Sequence, residues 1–274
     1  MRLTAALAIA LPLCAQDARE IVKVSLEREA ALDKLARQYT FLQRVEQRDI
    51  GDSGEIVRRR SKTYDVTLLE GSPYSRLIAR EDRPLSANEE KEERRKLERS
   101  IQERRRETER ARIKRVSEWQ QKRDNDRKQF SEIVDAFQFR ITGEEAINGQ
   151  KCWVIEATPS PGYRPHGGMS RVFPKIRGRM WISKTNYGWA RVEAETLDTI
   201  TYGGFLARLH KGMRFFMEQE HVNGEVWMPK HITVDYSARV LLVKRFRGQA
   251  DVTYRNFRKF QADSRIVDVS ETGK

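Results

Sequence analysis

Hydrophobic and polar positions alternate along this chain with two different periods. Over residues 17–38, Ile21, Val24, Leu32 and Leu35 recur at three- to four-residue multiples, with Lys23, Arg28, Glu29 and Lys34 on other faces. This spacing predicts an amphipathic helix whose apolar stripe needs something to cover. The period then falls to two, which predicts strands over 39–50, 55–69 and 73–80. Turn chemistry separates them, at Gly51-Asp52-Ser53-Gly54 and Gly71-Ser72-Pro73. In the second strand Tyr64, Val66 and Leu68 alternate with Thr63, Asp65 and Thr67.

Ser86 followed by Glu89 is a capping box, and it opens a helix predicted to run to about residue 136. Of the 51 residues from 86 to 136, 16 are basic and 13 acidic. The apolar residues are sparse: Leu97 and Ile101, then Ile113, Val116 and Trp119, then Phe130, Ile133 and Val134. No heptad is sustained, so the pattern predicts one long solvated helix, or two with a break near 122–128, docked at its C-terminal end.

Residues 137–260 return to period two. Hairpins are predicted at Asn148-Gly149, at 184–188 and at Asn223-Gly224, because Asn-Gly between alternating strands supplies the left-handed conformations of a tight turn. Residues 159–176 hold four prolines and three glycines and form one long loop. Alternation assigns Met180, Ile182, Ala190, Val192 and Ala194 to one face. Arg177, Arg179, Trp181, Trp189, Arg191, Glu193 and Glu195 fall on the other. Met213, Phe215 and Met217 share a face, as do Val226, Met228, Ile232, Val234 and Tyr236, and Val252 and Tyr254. The fold class is therefore α+β: an antiparallel sheet with one apolar and one charged face, the helix over 17–38 covering the former.

Methionines on such a face suit varied apolar ligands, and they suit an ordinary filled core equally. As a ligand site, the lining residues are Met180, Ile182, Val192, Phe215, Met217, Met228, Ile232 and Val234. Under the filled-core reading the protein is an interaction or sensor protein, and its charged helix and the loop over 159–176 dock a partner.

The 274 residues carry 53 Lys and Arg against 40 Asp and Glu, a net charge of +13. No apolar run reaches the ~18 residues of a membrane-spanning helix. Residues 1–15 have the order of an export signal: Arg2, an apolar stretch, and a small residue at Ala15. This places the mature chain in a periplasm or outside the cell, in one domain over 16–265 interrupted by the charged helix, with a tail over 266–274. Cleavage after Ala15 leaves Cys152 as the single thiol, a small buried hydrophobe without a disulfide partner. Nucleic acid is not an expected partner for an exported chain, and anionic envelope surfaces are the natural counter-charge for its basic clusters.

Catalytic signals are weak. His166, His210, His221 and His231 show no zinc spacing, and no phosphate-binding loop or nucleophile elbow occurs. Glu193 and Glu195 lie among arginines, which favours ion pairs over a glycosidase pair. No cofactor or metal is implied, and a non-enzymatic role is expected. A hydrolase would need His166 enclosed with a carboxylate and a hydroxyl.

The run Gly143-Glu144-Glu145-Ala146-Ile147-Asn148-Gly149-Gln150-Lys151-Cys152-Trp153-Val154-Ile155-Glu156-Ala157-Thr158-Pro159 carries a family resemblance. So do Gly178-Arg179-Met180-Trp181-Ile182-Ser183-Lys184 and Trp189-Ala190-Arg191-Val192-Glu193-Ala194-Glu195. With the order of elements, these segments resemble the LolA-like superfamily of periplasmic lipoprotein carriers and sorting proteins, with relatives such as LolB and the RseB N-terminal domain. The resemblance covers roughly 17–80 and 137–260. It implies a half-open antiparallel β-barrel closed by helices, and a lipid or acylated protein as partner.

Overall fold

The computed structural model describes residues 17–202, 207–240 and 244–260. The leader expected over 1–15 and the tail expected over 266–274 lie outside the described residues. The first element is α1, Ala18–Ala36, capped by Asp17, whose side chain accepts from the Arg19 backbone N–H at 2.9 Å. Its buried positions are Ala18, Ile21, Val22 and Ser25. The stripe is therefore rotated from the expected one: Val22 belongs to the core cluster and Val24 does not. Ser25 explains the rotation, because its hydroxyl donates to the Tyr187 carbonyl at 2.6 Å.

The strands β1 Tyr39–Ile50, β2 Ile56–Leu69, β3 Ser72–Arg80 and β4 Arg83–Pro84 come next. After the helical excursion come β5 Phe137–Ile147, β6 Gln150–Pro159, β7 Ile176–Ser183, β8 Trp189–Thr196, β9 Ile200–Tyr202, β10 Ala207–Leu209, β11 Arg214–Val222, β12 Val226–Val240 and β13 Lys244–Lys259. They form one 13-stranded antiparallel sheet in the order β4-β3-β2-β1-β13-β12-β11-β8-β7-β6-β5, with β10 paired to β12 and β9 to β10. Among the described residues no ladder joins β4 to β5, so the sheet is open. The Asn-Gly hairpins form as their chemistry requires: Asn148 and Gly149 have φ of 49° and 79°, Asn223 and Gly224 of 52° and 68°.

The two sheet edges are consecutive in sequence apart from the helices, so the helices carry the chain from one edge to the other. These are α2 Ala87–Arg106, α3 Glu109–Ser131 and α4 Ile133–Ala136. Ser86 and Glu89 close the capping box. α2 runs back along edge strand β3: Arg80 pairs with Glu89 at 3.3 Å, and Arg104 donates to the carbonyls of Leu69, Ser72 and Pro73 at 2.6–3.3 Å. α3, about 35 Å long at the standard helical rise, then crosses from the β2–β3 turn to the far side.

The helix break lies at Glu107–Thr108, not near 122–128. Glu107 leaves the helical conformation, with φ −56° and ψ 138°, and Thr108 caps α3 by accepting from the Ala111 N–H at 3.3 Å. Arg115 fixes the corner: it binds the Glu107 carboxylate at 2.7–3.1 Å, the Ser72 hydroxyl at 2.6 Å and the Glu70 carbonyl at 3.0 Å. Side-chain hydrogen bonds thus set a corner that no glycine or proline marks.

The register places the expected lining residues in rows. Ile155, Met180, Val192, Met217, Ile232, Val252 and Val45 pair in succession across seven strands. Ala194, Phe215 and Val234 form the next row. Two expected assignments change at a bulge in β8. Ile182 pairs with Trp189 while Trp181 pairs with Arg191, so Ala190 is the extra residue. Trp189 consequently joins Met180 and Ile182 in the main cluster, and Ala190 joins Trp181, Cys152 and Trp227 in a second one. In β12, Lys230 is the extra residue between Pro229 and His231. Met228 nonetheless stays on the side that α1 covers, and packs with Tyr39 and Val226 against Leu32, Leu35 and Ala36 of α1.

Candidate functional site

A cleft of about 1000 Å³ lies between α1, the end of α3, α4 and the sheet. Its apolar lining is Leu26, Ala30, Phe130, Val134, Trp189 and Met217, and its rim carries Arg19, Lys23, Glu27 and Asp135. The volume is at the upper end of the ~300–1000 Å³ usual for ligand pockets. A second cavity of about 460 Å³ continues beneath the C-terminal half of α1, lined by Leu32, Tyr39, Phe41, Leu68, Trp119 and Met228 among others. Glu29, Asp33, Arg123 and Gln219 line both, and so form the waist between them.

A set of charged contacts spans the gap between α1 and α3. Asp33 accepts from Arg37 at 2.6 Å and from Arg123 at 2.9 Å. Arg37 also reaches Asp124 at 3.1 Å, and its guanidinium lies 5.7 Å from the centre of the Trp119 ring. Arg127 binds Asp124 and donates to the Ala30 carbonyl at 3.4 Å. Burial opposes ionisation of Asp33, but the hydrogen bonds from Arg37 and Arg123 outweigh it and hold the carboxyl below its usual range. α3 is thus clasped to α1 by ion pairs, with cavity rather than packed side chains between them.

Three polar groups at this cleft stand without partners among the described residues. Glu29 makes no hydrogen bond or ion pair, and burial, then the Asp33 charge, push its carboxyl up to about 7. The Gln219 side-chain oxygen and the Trp189 indole N–H are buried with no hydrogen-bond partner. Buried polar groups ordinarily find partners, so orphans gathered at one cleft point to a site there; a further buried orphan, the Arg191 Nε, lies outside it.

The expected lining residues divide between core and cavity. Met217 lines the large cleft and Met228 the smaller cavity. Met180 and Ile182 are closed into the core under α1, with Val192 packed against it. Phe215, Ile232 and Val234 are half-buried and line neither space. The helical spacing put Glu29 off the apolar stripe and the strand alternation put Trp189 on the charged face, whereas both line the cleft; Gln219 carried no expectation. A signal for Glu29 existed: it falls in the inward-facing helical series Val22, Ser25, Leu26, Glu29, Leu32, Ala36, where a lone carboxyl interrupts the apolar stripe.

Elsewhere the chemistry is structural. His166 lies 3.1 Å from Glu132, which also binds the Tyr163 hydroxyl, but its side chain is 82% exposed, so this cluster is not enclosed. Glu195 pairs with Arg177 at 2.8 Å. Cys152 is fully buried, and burial pushes its thiol up, away from a reactive thiolate. Arg59 binds Glu46 and Arg60 binds Asp49. Among the described residues no group of three or more His, Cys, Asp or Glu is placed to hold a metal ion, and no helix is long and apolar enough to cross a membrane.

Comparison with protein families and with curated proteins finds no match for this chain. Solved structures do show likeness. An outer membrane lipoprotein-sorting protein domain from Vibrio parahaemolyticus is 11% identical over 91% of this chain and 94% of its own, with a TM-score of 0.37. A LolA superfamily protein from Nitrosomonas europaea is 13% identical over 90% and 94%, with a TM-score of 0.31. The Pseudomonas aeruginosa MucA/MucB complex gives 9% identity over 89% and 99%, with a TM-score of 0.24. At these identities and scores the chain's function is to be read from its own cleft.

Proposed function

We propose that this protein is an exported, non-enzymatic envelope protein that binds a lipid or other apolar ligand between α1, α3 and the sheet, in the manner of a lipoprotein carrier or sorting protein. The observation that carries this reading is the cleft of about 1000 Å³, with an apolar lining around Trp189 and Met217 and a charged rim. An apolar floor beneath a polar rim fits an amphiphile, whose chain leaves water while its head stays near the mouth. The α3 side of the charged clasp supports the same role, because the Arg123, Asp124 and Arg127 side chains are 37–46% exposed and ion pairs of that kind contribute little stability each. An acylated protein fits this chemistry as well as a free lipid does, and the periplasm is the proposed compartment.

The test is lipid mass spectrometry on the chain secreted into a bacterial periplasm and purified without detergent. A stoichiometric lipid or acylated peptide supports the reading and names the cargo class. A ligand-free protein that also takes up no added phospholipid or acylated peptide counts against it. A second reading, docking of a protein partner, is favoured by α2, which has no buried residue along its 20 positions.

A further inference from the structure

We propose that the ligand of this cleft bears a primary ammonium group, seated at the waist formed by Glu29 and Gln219, with its apolar chain along Trp189 and Met217. The inference rests on the reading of the cleft as a ligand site and adds the chemistry of the head group. Every guanidinium at the waist is already engaged: Arg37 by Asp33 and Asp124, Arg123 by Asp33, and Arg127 by Asp124. Glu29 is the carboxyl left over, with no hydrogen bond or ion pair of its own among the described residues.

Gln219 is an independent second observation. It is 9% exposed, lines both cavities, and holds its side-chain oxygen with no donor. A carboxylate and an amide oxygen at one waist are both acceptors. An ammonium offers three donors and a positive charge, and satisfies both. A hydroxyl head offers one donor, and an anionic head sets like charge against Glu29. The apolar surface on either side of the waist accounts for the chain.

The experiment is isothermal titration of the secreted chain at pH 8 with dodecylammonium, dodecanol, dodecyl sulfate and ethylammonium. Dodecylammonium is expected to bind about tenfold or more tighter than dodecanol, the scale of one charge-assisted hydrogen bond. Ethylammonium, a head without a chain, is expected not to bind. Glu29→Gln should reduce dodecylammonium to the affinity the same variant shows for dodecanol, and circular dichroism reports whether the variant is folded. Gln219→Leu should weaken dodecylammonium selectively and serves if Glu29→Gln does not fold. Preference for dodecyl sulfate, equal binding of dodecylammonium and dodecanol, or full amine preference in a folded Glu29→Gln overturns the head-group assignment while the ligand site stands. Ethylammonium binding as tightly as dodecylammonium overturns the amphiphile. No binding of any dodecyl compound overturns both the ligand site and this inference.

Discussion

Replacing Glu29 by Gln should stabilise the empty protein, increasingly as pH rises from 4.5 to 7 and fully above that. The Glu29 carboxyl lies at about 7 in the folded chain against an ordinary 4.5, because burial and the Asp33 charge disfavour its ionised form. One pKa unit corresponds to about 1.4 kcal/mol, so the folded state carries a cost of up to about 3 kcal/mol once the group is ionised. Below pH 4.5 the carboxyl is protonated in folded and unfolded chains alike, and the cost is absent. Between 4.5 and 7 the unfolded chain gives up its proton first, so stability falls as pH rises. Above 7 the full cost remains. Gln keeps the shape and never ionises. Urea unfolding followed by tryptophan fluorescence at pH 4, 6 and 8 should therefore show Glu29→Gln more stable at pH 8 by up to about 3 kcal/mol, and near parity at pH 4. Most substitutions destabilise, so the sign alone is informative. A variant no more stable than wild type at pH 8, or a difference that does not change with pH, would refute the reasoning.

Other sites give contrasting expectations. Arg104→Ala removes the guanidinium that three carbonyls of the β2–β3 turn share, and should cost about 1–3 kcal/mol in urea unfolding while raising amide exchange in α2. Asp33→Asn unlinks Arg37 and Arg123 and should make ligand uptake faster and less dependent on salt, read by stopped-flow at low and high ionic strength. Gly188→Ala places a Cβ 1.8 Å from the Trp227 indole nitrogen, and should cost about 1–3 kcal/mol and shift tryptophan emission. Glu46 shows the opposite pH sign to Glu29. Burial would raise its carboxyl, but hydrogen bonds from Arg59, Arg44 and Arg48 outweigh it and bring it to about 2. Its contribution is present above pH 4.5 and lost as pH falls toward 2, so Glu46→Gln should lower the melting temperature at pH 7 and progressively less in acid.

The hairpins and the facing of the strands were legible because their causes are local. Asn148-Gly149 and Asn223-Gly224 set left-handed turns, and period-two patterning gave Met180 and Val192, Met217, and Ile232 the apolar faces of their strands, which the register joins into one row. The misassigned residues, Trp189 and Ala190, sit at a bulge. The extra residue in β8 exchanges their faces, and nothing in the alternation announces it. The corner at Glu107–Thr108 was invisible for another reason: Arg115 holds it through Ser72 and Glu70, contacts that exist only after β3 has formed. The candidate site was legible only in part. Met217 came from strand patterning, whereas the waist depends on α3 crossing α1. That crossing comes from the sheet's two edges being joined by the helices, a topological fact rather than a local one.

The central claim is that the cleft over Trp189 and Met217 takes an apolar ligand. Its most direct test is a fluorescence titration with the apolar probe N-phenyl-1-naphthylamine, on wild type and on Met217→Arg shown by circular dichroism to be folded. The account predicts saturable enhancement with wild type that is lost in Met217→Arg, because a charged side chain then occupies the apolar lining. No saturable binding by wild type, or equal binding by the folded variant, would contradict it.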